Sequence, residues 1–433
     1  MKPFSPHRSR LLTGLLTTCL LPATSAFAQD AEPEAAPPPE HPLVTFLKEG
    51  KVNLDVRFRY EYGSIDGLDD SNAFTVRTRL GYTTKAFSGF QGMIEFEDNR
   101  AADDEEYFGG DNGNPFGQTP IADPEDTQLN QLWISYDFKN LSDDIPLTAK
   151  VGRQRIILDD ARFIGNVGWR QLEQTYDAAL LTYTPTEEIT AKYAFIEDVR
   201  RIFGDDSANA ANTNFTSNSH LINVAYTGLD IGKLVGFAYL LDLDGSTVGL
   251  ANSSQTYGLR LDGSTDLNDE FALGYIGSFA YQSDYADNPV SYDAIYVLAE
   301  GKLKFKDSPG SFIGGGFELL GSDNGAFAFR TPLATGHKFN GFADAFLVTP
   351  AGGLRDYYIT GGTTIPGINV KAIATYHYFT GDNNNNELGQ ELDLVLVRKL
   401  NENASLLLKG AFLDGENGVA STERFSIQLD LKF

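Results

Sequence analysis

From residue 51 onward, apolar and polar side chains alternate one by one. In KVNLDVRFRYEY (51–62), Val52, Leu54, Val56, Phe58, Tyr60 and Tyr62 oppose Lys51, Asn53, Asp55, Arg57, Arg59 and Glu61. A period of two belongs to a strand with one apolar face, not to a helix of period 3.6. FTVRTRLGYT (74–83) sets Phe74, Val76, Leu80 and Tyr82 against Arg77 and Arg79, and ERFSIQLDLKF (423–433) ends in mid-pattern on Phe433. With these three, further strands are predicted near 90–98, 128–138, 146–155, 175–184, 188–197, 219–227, 233–243, 254–262, 270–283, 292–304, 311–321, 354–363, 369–380, 390–399 and 404–414, eighteen in all.

The connectors alternate too. Odd ones include 63–73, 99–127, 156–174, 198–218 and 322–353, whereas even ones are brief: AFSG, PTEE, KDSPG, TIPG, NENA. Alternating long and short connectors belong to an outer-membrane barrel, with long external loops and short periplasmic turns. Only helices and closed barrels satisfy their backbone groups in lipid. No apolar run after the first 28 residues approaches the ~20 that a spanning helix needs. The expected fold is therefore all-β: a transmembrane antiparallel barrel of about 18 strands, both termini periplasmic. The last strand pairs with the first, and Phe433 serves as an assembly signal.

Lys2, Arg8 and Arg10, the apolar stretch Leu11–Leu21 and Ala26-Phe27-Ala28 form a secretory signal peptide at 1–28. Residues 29–46, opening QDAEPEAAPPPEHP, read as a disordered periplasmic tail, and 47–433 as the barrel. Cys19, the only cysteine, leaves with the signal, which excludes disulfides and thiolate chemistry in the mature chain. Cleavage removes three basic and no acidic residues, taking the net charge from −25 to −28. So acidic a chain is no nucleic-acid binder. His220, His337 and His377 lie on separate elements, and no G-x-S-x-G, H-E-x-x-H or P-loop occurs. No enzyme, cofactor or metal is expected.

Charge decides which face is the lumen. An Arg or Lys facing mid-bilayer lipid costs roughly 2–4 kcal/mol. That turns Arg57, Arg59, Arg77, Arg79, Lys150, Lys192, Arg260 and Lys409 inward, with Glu95, Glu97, Asp177, Asp393 and Asp430. Arginines on the first two strands facing Glu95 and Glu97 on the third set up either a transverse field or plain ion pairs. DDEE (103–106) and DPED (123–126) read as solvated loop tips ahead of divalent-cation sites, and Trp133 and Trp169 as interface anchors ahead of sugar stacking.

VGRQRIILDDARFIGNVGWRQLEQTYDAAL (151–180) and PLATGHKFNGFADAFLVTPAGGLRDYY (332–358) resemble two stretches typical of the alginate-export family of bacterial outer-membrane porins. The opening LKEGKVNLDVRFRYEY (47–62) is similar as well. The resemblance implies an eighteen-stranded barrel with an arginine-lined constriction that passes uronate polymers or smaller anions. It implies that Arg153 and Arg155 point into the pore, that Asp159, Asp160, Arg162 and Arg170 lie on a loop folded over it, and that Asp177 starts the next strand. His337, Lys338, Asn340 and Asp344 fall in the longest external loop. The chain has Phe342 where the resemblance leads one to expect Trp, and Ala345 where a charged or amide residue is usual.

The reading is a porin of the bacterial outer membrane passing small hydrophilic solutes, favouring anions such as sugars' uronates. The alternatives are a dedicated alginate-like export pore and, behind it, a barrel enzyme. Expected partners are outer-membrane lipid and lipopolysaccharide, the barrel-assembly machinery, periplasmic chaperones and the solutes themselves.

Overall fold

A computed structural model of the chain describes residues 42–103, 106–110, 117–204, 207 and 213–433. The signal peptide, the tail up to residue 41 and Glu105 of DDEE fall outside these residues. Pro42–Lys48, expected to end the tail, forms a short helix, α1. Eighteen long strands follow: β1 Lys51–Ile65, β2 Ser71–Thr83, β3 Phe90–Ala101, β4 Asp126–Asp137, β5 Leu147–Gln154, β6 Thr175–Tyr183, β7 Ile189–Arg200, β8 Asn214–Leu229 and β9 Gly232–Leu241. The second half comprises β10 Ser254–Asp266, β11 Phe271–Asp284, β12 Asp293–Phe305, β13 Phe312–Leu320, β14 Leu354–Ile365, β15 Val370–Thr380, β16 Glu387–Lys399, β17 Ala404–Gly415 and β18 Thr422–Lys432.

Every strand pairs antiparallel with its sequence neighbours, and β1 pairs with β18 from Asp55↔Lys432 to Ile65↔Thr422. The sheet is closed. Phe433 extends the seam: its N–H donates to Leu54 O at 2.8 Å, and its carbonyl accepts from Leu54 N at 3.0 Å. Closure leaves no strand edge, which lipid would not tolerate.

The alternating pattern sorts the two faces. Leu80, Phe96, Ile134, Leu259, Ile313, Ile359 and Leu394 stay exposed on the outside, where bilayer hydrocarbon is their solvent. Inside, the long-loop end of the barrel is filled. Loop residues Ile156, Leu158, Ile164, Leu333 and Phe346 pack with wall residues Tyr176, Phe237, Tyr296 and Phe379 into one buried cluster. A parallel bridge, Ile164↔Leu333, ties the loop after β5 to the loop after β13. Both long loops therefore turn into the barrel, since their apolar residues find cover there and nowhere else.

Strand ends differ from expectation mainly at the long-loop rim: β1 runs to Ile65, β2 starts at Ser71 and β8 at Asn214. There the ladder continues past the hydrocarbon, so the outward face no longer has to be apolar and the alternation fades.

Candidate functional site: the lumen and its two inward loops

β1 and β2 set their arginines at matched heights, with Arg57 opposite Arg77 and Arg79 opposite Glu97 of β3. The loop 155–174 lies against this ladder. Arg57 Nη1 donates to the carbonyls of Gly168 and Trp169 at 3.2 and 3.1 Å, and Arg79 Nη2 to Gln171 O at 3.3 Å. A guanidinium suits this task, because its fork of five donors binds a carboxylate and loop carbonyls together.

Each ladder arginine also meets an acid. Arg57 pairs with Asp430 at 2.8 Å, Arg59 with Asp123 at 3.2 Å, Arg77 with Asp55, and Arg79 with Glu97 at 2.8 Å and Glu173 at 3.6 Å. Arg155 joins Glu95 at 2.6 Å and also Glu173. Of the two readings of this charge pattern, the geometry is that of ion pairs. Their fields largely cancel.

The loop 321–353 is held by β13, β14, β16 and β18. Its turn 336–344 presents N–H groups to strand carboxylates: Phe342 N to Asp393 at 3.1 Å and Ala343 N to Glu391 at 2.7 Å. Asn340 donates to Glu318 at 2.7 Å and to Asp356 at 3.2 Å, and Arg424 Nε donates to Ala343 O at 2.9 Å. Gly341 adopts φ 86°, and a Cβ there would overlap the Glu391 carboxylate, so only glycine fits.

The two loops meet around one ring. The indole of Trp169 stacks on His337, with centroids 4.4 Å apart and planes 8° apart, while Arg59 covers the indole at 4.0 Å. Lys409 Nζ of β17 sits 3.8 Å from both the Trp169 and Phe342 rings and donates to His337 Nε2 at 2.8 Å. His337 Nδ1 then donates to Asp344 at 2.7 Å, and Arg170 binds the same carboxylate at 2.8 Å. Burial pushes His337 down to about 3, and Lys409 and Arg170 oppose its charging, so the imidazole is neutral and passes its one N–H to Asp344. Burial alone would raise Asp344, but His337 and Arg170 hold it well below the usual carboxylate range.

The 336–344 turn divides the lumen. Gly336, His337 and Asp344 line a cavity of about 310 Å³ that also meets Arg170, Arg201, Arg330, Phe203 and Phe215. Lys338 to Phe342 line a second cavity of about 350 Å³, walled by Asp160, Arg260, Glu300, Lys302 and Tyr358.

The remaining expected residues are placed as follows. Lys150 and Lys192 share the inward face, with Lys150 4.5 Å above the Trp133 ring, and among the described residues neither is in an ion pair. Asp159 accepts from Asn223 at 2.8 Å, Asp160 pairs with Arg260 at 2.9 Å, Arg162 with Glu318 at 2.7 Å, and Lys338 donates to Asp160 O at 2.8 Å.

Four expectations need correction. Arg153 and Asp177, paired at 2.8 Å, stand opposite each other in a register that puts Arg153 level with Leu132 and on the face of Val151 and Leu181, which is the outward one. Near the rim an outward ion pair is cheap, so charge alone does not force it inside. Trp169 is no interface anchor, because the loop that carries it lies in the lumen. DPED is no solvated tip either: Asp123 is fully buried against Arg59. Sequence reasoning missed Asp123, Glu173, Glu318, Asp356 and Glu391 as holders of the loops. Glu173 and Asp356 lie inside the quoted stretches and Asp123 opens DPED, but nothing local marks Glu318 and Glu391.

A closed eighteen-stranded barrel, apolar outside and charged within, narrowed by inward loops, is an outer-membrane porin. The chain belongs to the Alginate export family, whose pattern matches residues 49–311. Among solved structures it is similar in fold to Acinetobacter baumannii OccAB2 (TM-score 0.68, 14% identity, covering 90% of this chain and 99% of that one). It is similar too to Acinetobacter baumannii OccAB4 (0.65, 16%, 89% and 98%) and to Pseudomonas aeruginosa OpdK, solved with vanillate (0.66, 12%, 90% and 99%). No curated protein matches in sequence.

Proposed function

We propose that this porin passes small anionic solutes bearing a carboxylate, and that the long-loop end faces the cell exterior with both termini periplasmic. The observation that carries the reading is the cavity at the 336–344 turn: Arg170, Arg201 and Arg330 line it beside the neutral His337 and, among the described residues, a single carboxylate, Asp344. Cations converging on a low-dielectric wall concentrate anions. Further along the wall, Lys150 and Lys192, in no ion pair among the described residues, add net positive charge where the ladder arginines cannot.

Small solutes are favoured over a polymer because the 336–344 turn separates the two cavities, and a polysaccharide needs one continuous path. Signal-directed export, a periplasmic tail, delivery by chaperones to the barrel-assembly machinery and contact with lipopolysaccharide complete the proposal. Liposome swelling tests it. Glucuronate should enter faster than glucose, and an alginate oligomer should be excluded. Faster entry of glucose, or entry of the oligomer, would overturn it.

A further inference from the structure

Asp344 occupies an unusual place. Among the described residues its carboxylate is the one acid lining a cavity whose other ionisable groups are three arginines and a histidine. Arg170 Nη2 reaches it at 2.8 Å and His337 Nδ1 at 2.7 Å, so it is held as a bound carboxylate ligand would be. Its backbone has φ 63°, a left-handed conformation uncommon for a side-chain-bearing residue. It also closes the turn that keeps the two cavities apart.

We infer that Asp344 is a built-in surrogate for the solute, and that an entering carboxylate displaces it from Arg170 and His337, loosening the 336–344 turn. The solute thereby opens its own path. This inference rests on the anion reading above. Two further features support it. Arg330 Nε is buried in the same cavity wall with no hydrogen-bond partner among the described residues, and the Arg330 guanidinium lies 4.6 Å over the Phe327 ring. Phe203 and Phe215 add apolar wall, so the fitting ligand is a planar, largely apolar acid rather than a bare inorganic anion. Exchange of one carboxylate for another keeps Arg170 and His337 satisfied throughout, so neither is left buried and unpaired during release.

The charges facing Asp344 come from several elements. Arg170 belongs to the loop 155–174, Glu391 to β16, Lys409 to β17 and Arg424 to β18, and Glu61 of β1 binds both Arg170 and Arg424. The surrogate contact is therefore one point at which the two loops are joined to each other.

Trp169 reports on it. The sequence holds two tryptophans, so W133F leaves Trp169 as the only indole. In that background, in detergent micelles, benzoate should red-shift the Trp169 emission as His337 leaves its face, whereas the neutral amide benzamide should not. D344N should be shifted before benzoate is added. R330Q, which leaves the Asp344 contacts intact, should raise the benzoate midpoint while preserving the final shift. An unchanged Trp169 spectrum at benzoate concentrations that permeate liposomes would overturn this inference and leave the anion reading standing. Failure of benzoate to permeate at all would overturn the anion reading itself. Should D344N fail to fold, the W133F titration and R330Q still decide.

Discussion

Trp169 and His337 stack face to face, 4.4 Å apart with planes 8° from parallel, and they come from the two different loops that turn into the barrel. Neither loop is held by the wall alone. Truncating Trp169 to Ala removes the surface against which His337, Lys409 and Arg59 are arranged. Single-channel conductance of W169A should rise, with more frequent transitions, while the heat-modifiable mobility of the folded barrel is retained. Conductance equal to the parent would mean that the loops do not narrow the path.

Acid should loosen the same contact. His337 titrates near its ordinary value of about 6.5 when released but near 3 when packed, so the packed turn binds fewer protons. Its stabilisation is complete above pH 6.5 and is lost progressively as pH falls from 6.5 towards 3. Conductance should therefore climb between pH 6.5 and 5, where ordinary carboxylates remain ionised, and H337Q should flatten the profile. A parent profile flat over that range would count against the neutral imidazole.

Ion pairs inside and outside the wall should differ in worth. R79A leaves Glu97 buried without its cation and should cost about 3–5 kcal/mol in urea unfolding from detergent. R153A breaks a partly exposed outward pair and should cost about 1 kcal/mol or less, with selectivity unchanged. Equal costs, or a selectivity change in R153A, would place Arg153 in the lumen after all.

Removing Phe433 deletes two hydrogen bonds of the β1–β18 seam, those to the N–H and carbonyl of Leu54. The deletion variant should accumulate less heat-modifiable barrel in the outer membrane through an expression time course. Undiminished folded yield would show that the terminal residue is dispensable for assembly.

The barrel was legible because lipid and lumen impose opposite chemistry on successive residues, a signal repeated in every strand. The same parity rule would have placed Arg153: Lys150 and Arg153 are three apart, so a period-two strand cannot point both inward. The family resemblance implies an inward Arg153, and parity overrules it. The inward loops were not legible. Asp123, Glu318 and Glu391 reach Arg59, Arg162 and Ala343 across large sequence separations, and one sequence does not encode such pairings locally. The ion pairs of the ladder arginines were not legible for the same reason. Their partners were out of view.

Ion selectivity tests the central claim most directly. In planar bilayers under a KCl gradient, the reversal potential should indicate anion preference despite the net charge of −25, because distant loop charges are screened beyond about 8 Å at physiological salt. K150Q combined with K192Q should move it towards cations, whereas neutralising the exterior Asp103 should leave it in place. A cation-selective parent channel, unmoved by the lysine substitutions, would contradict the account.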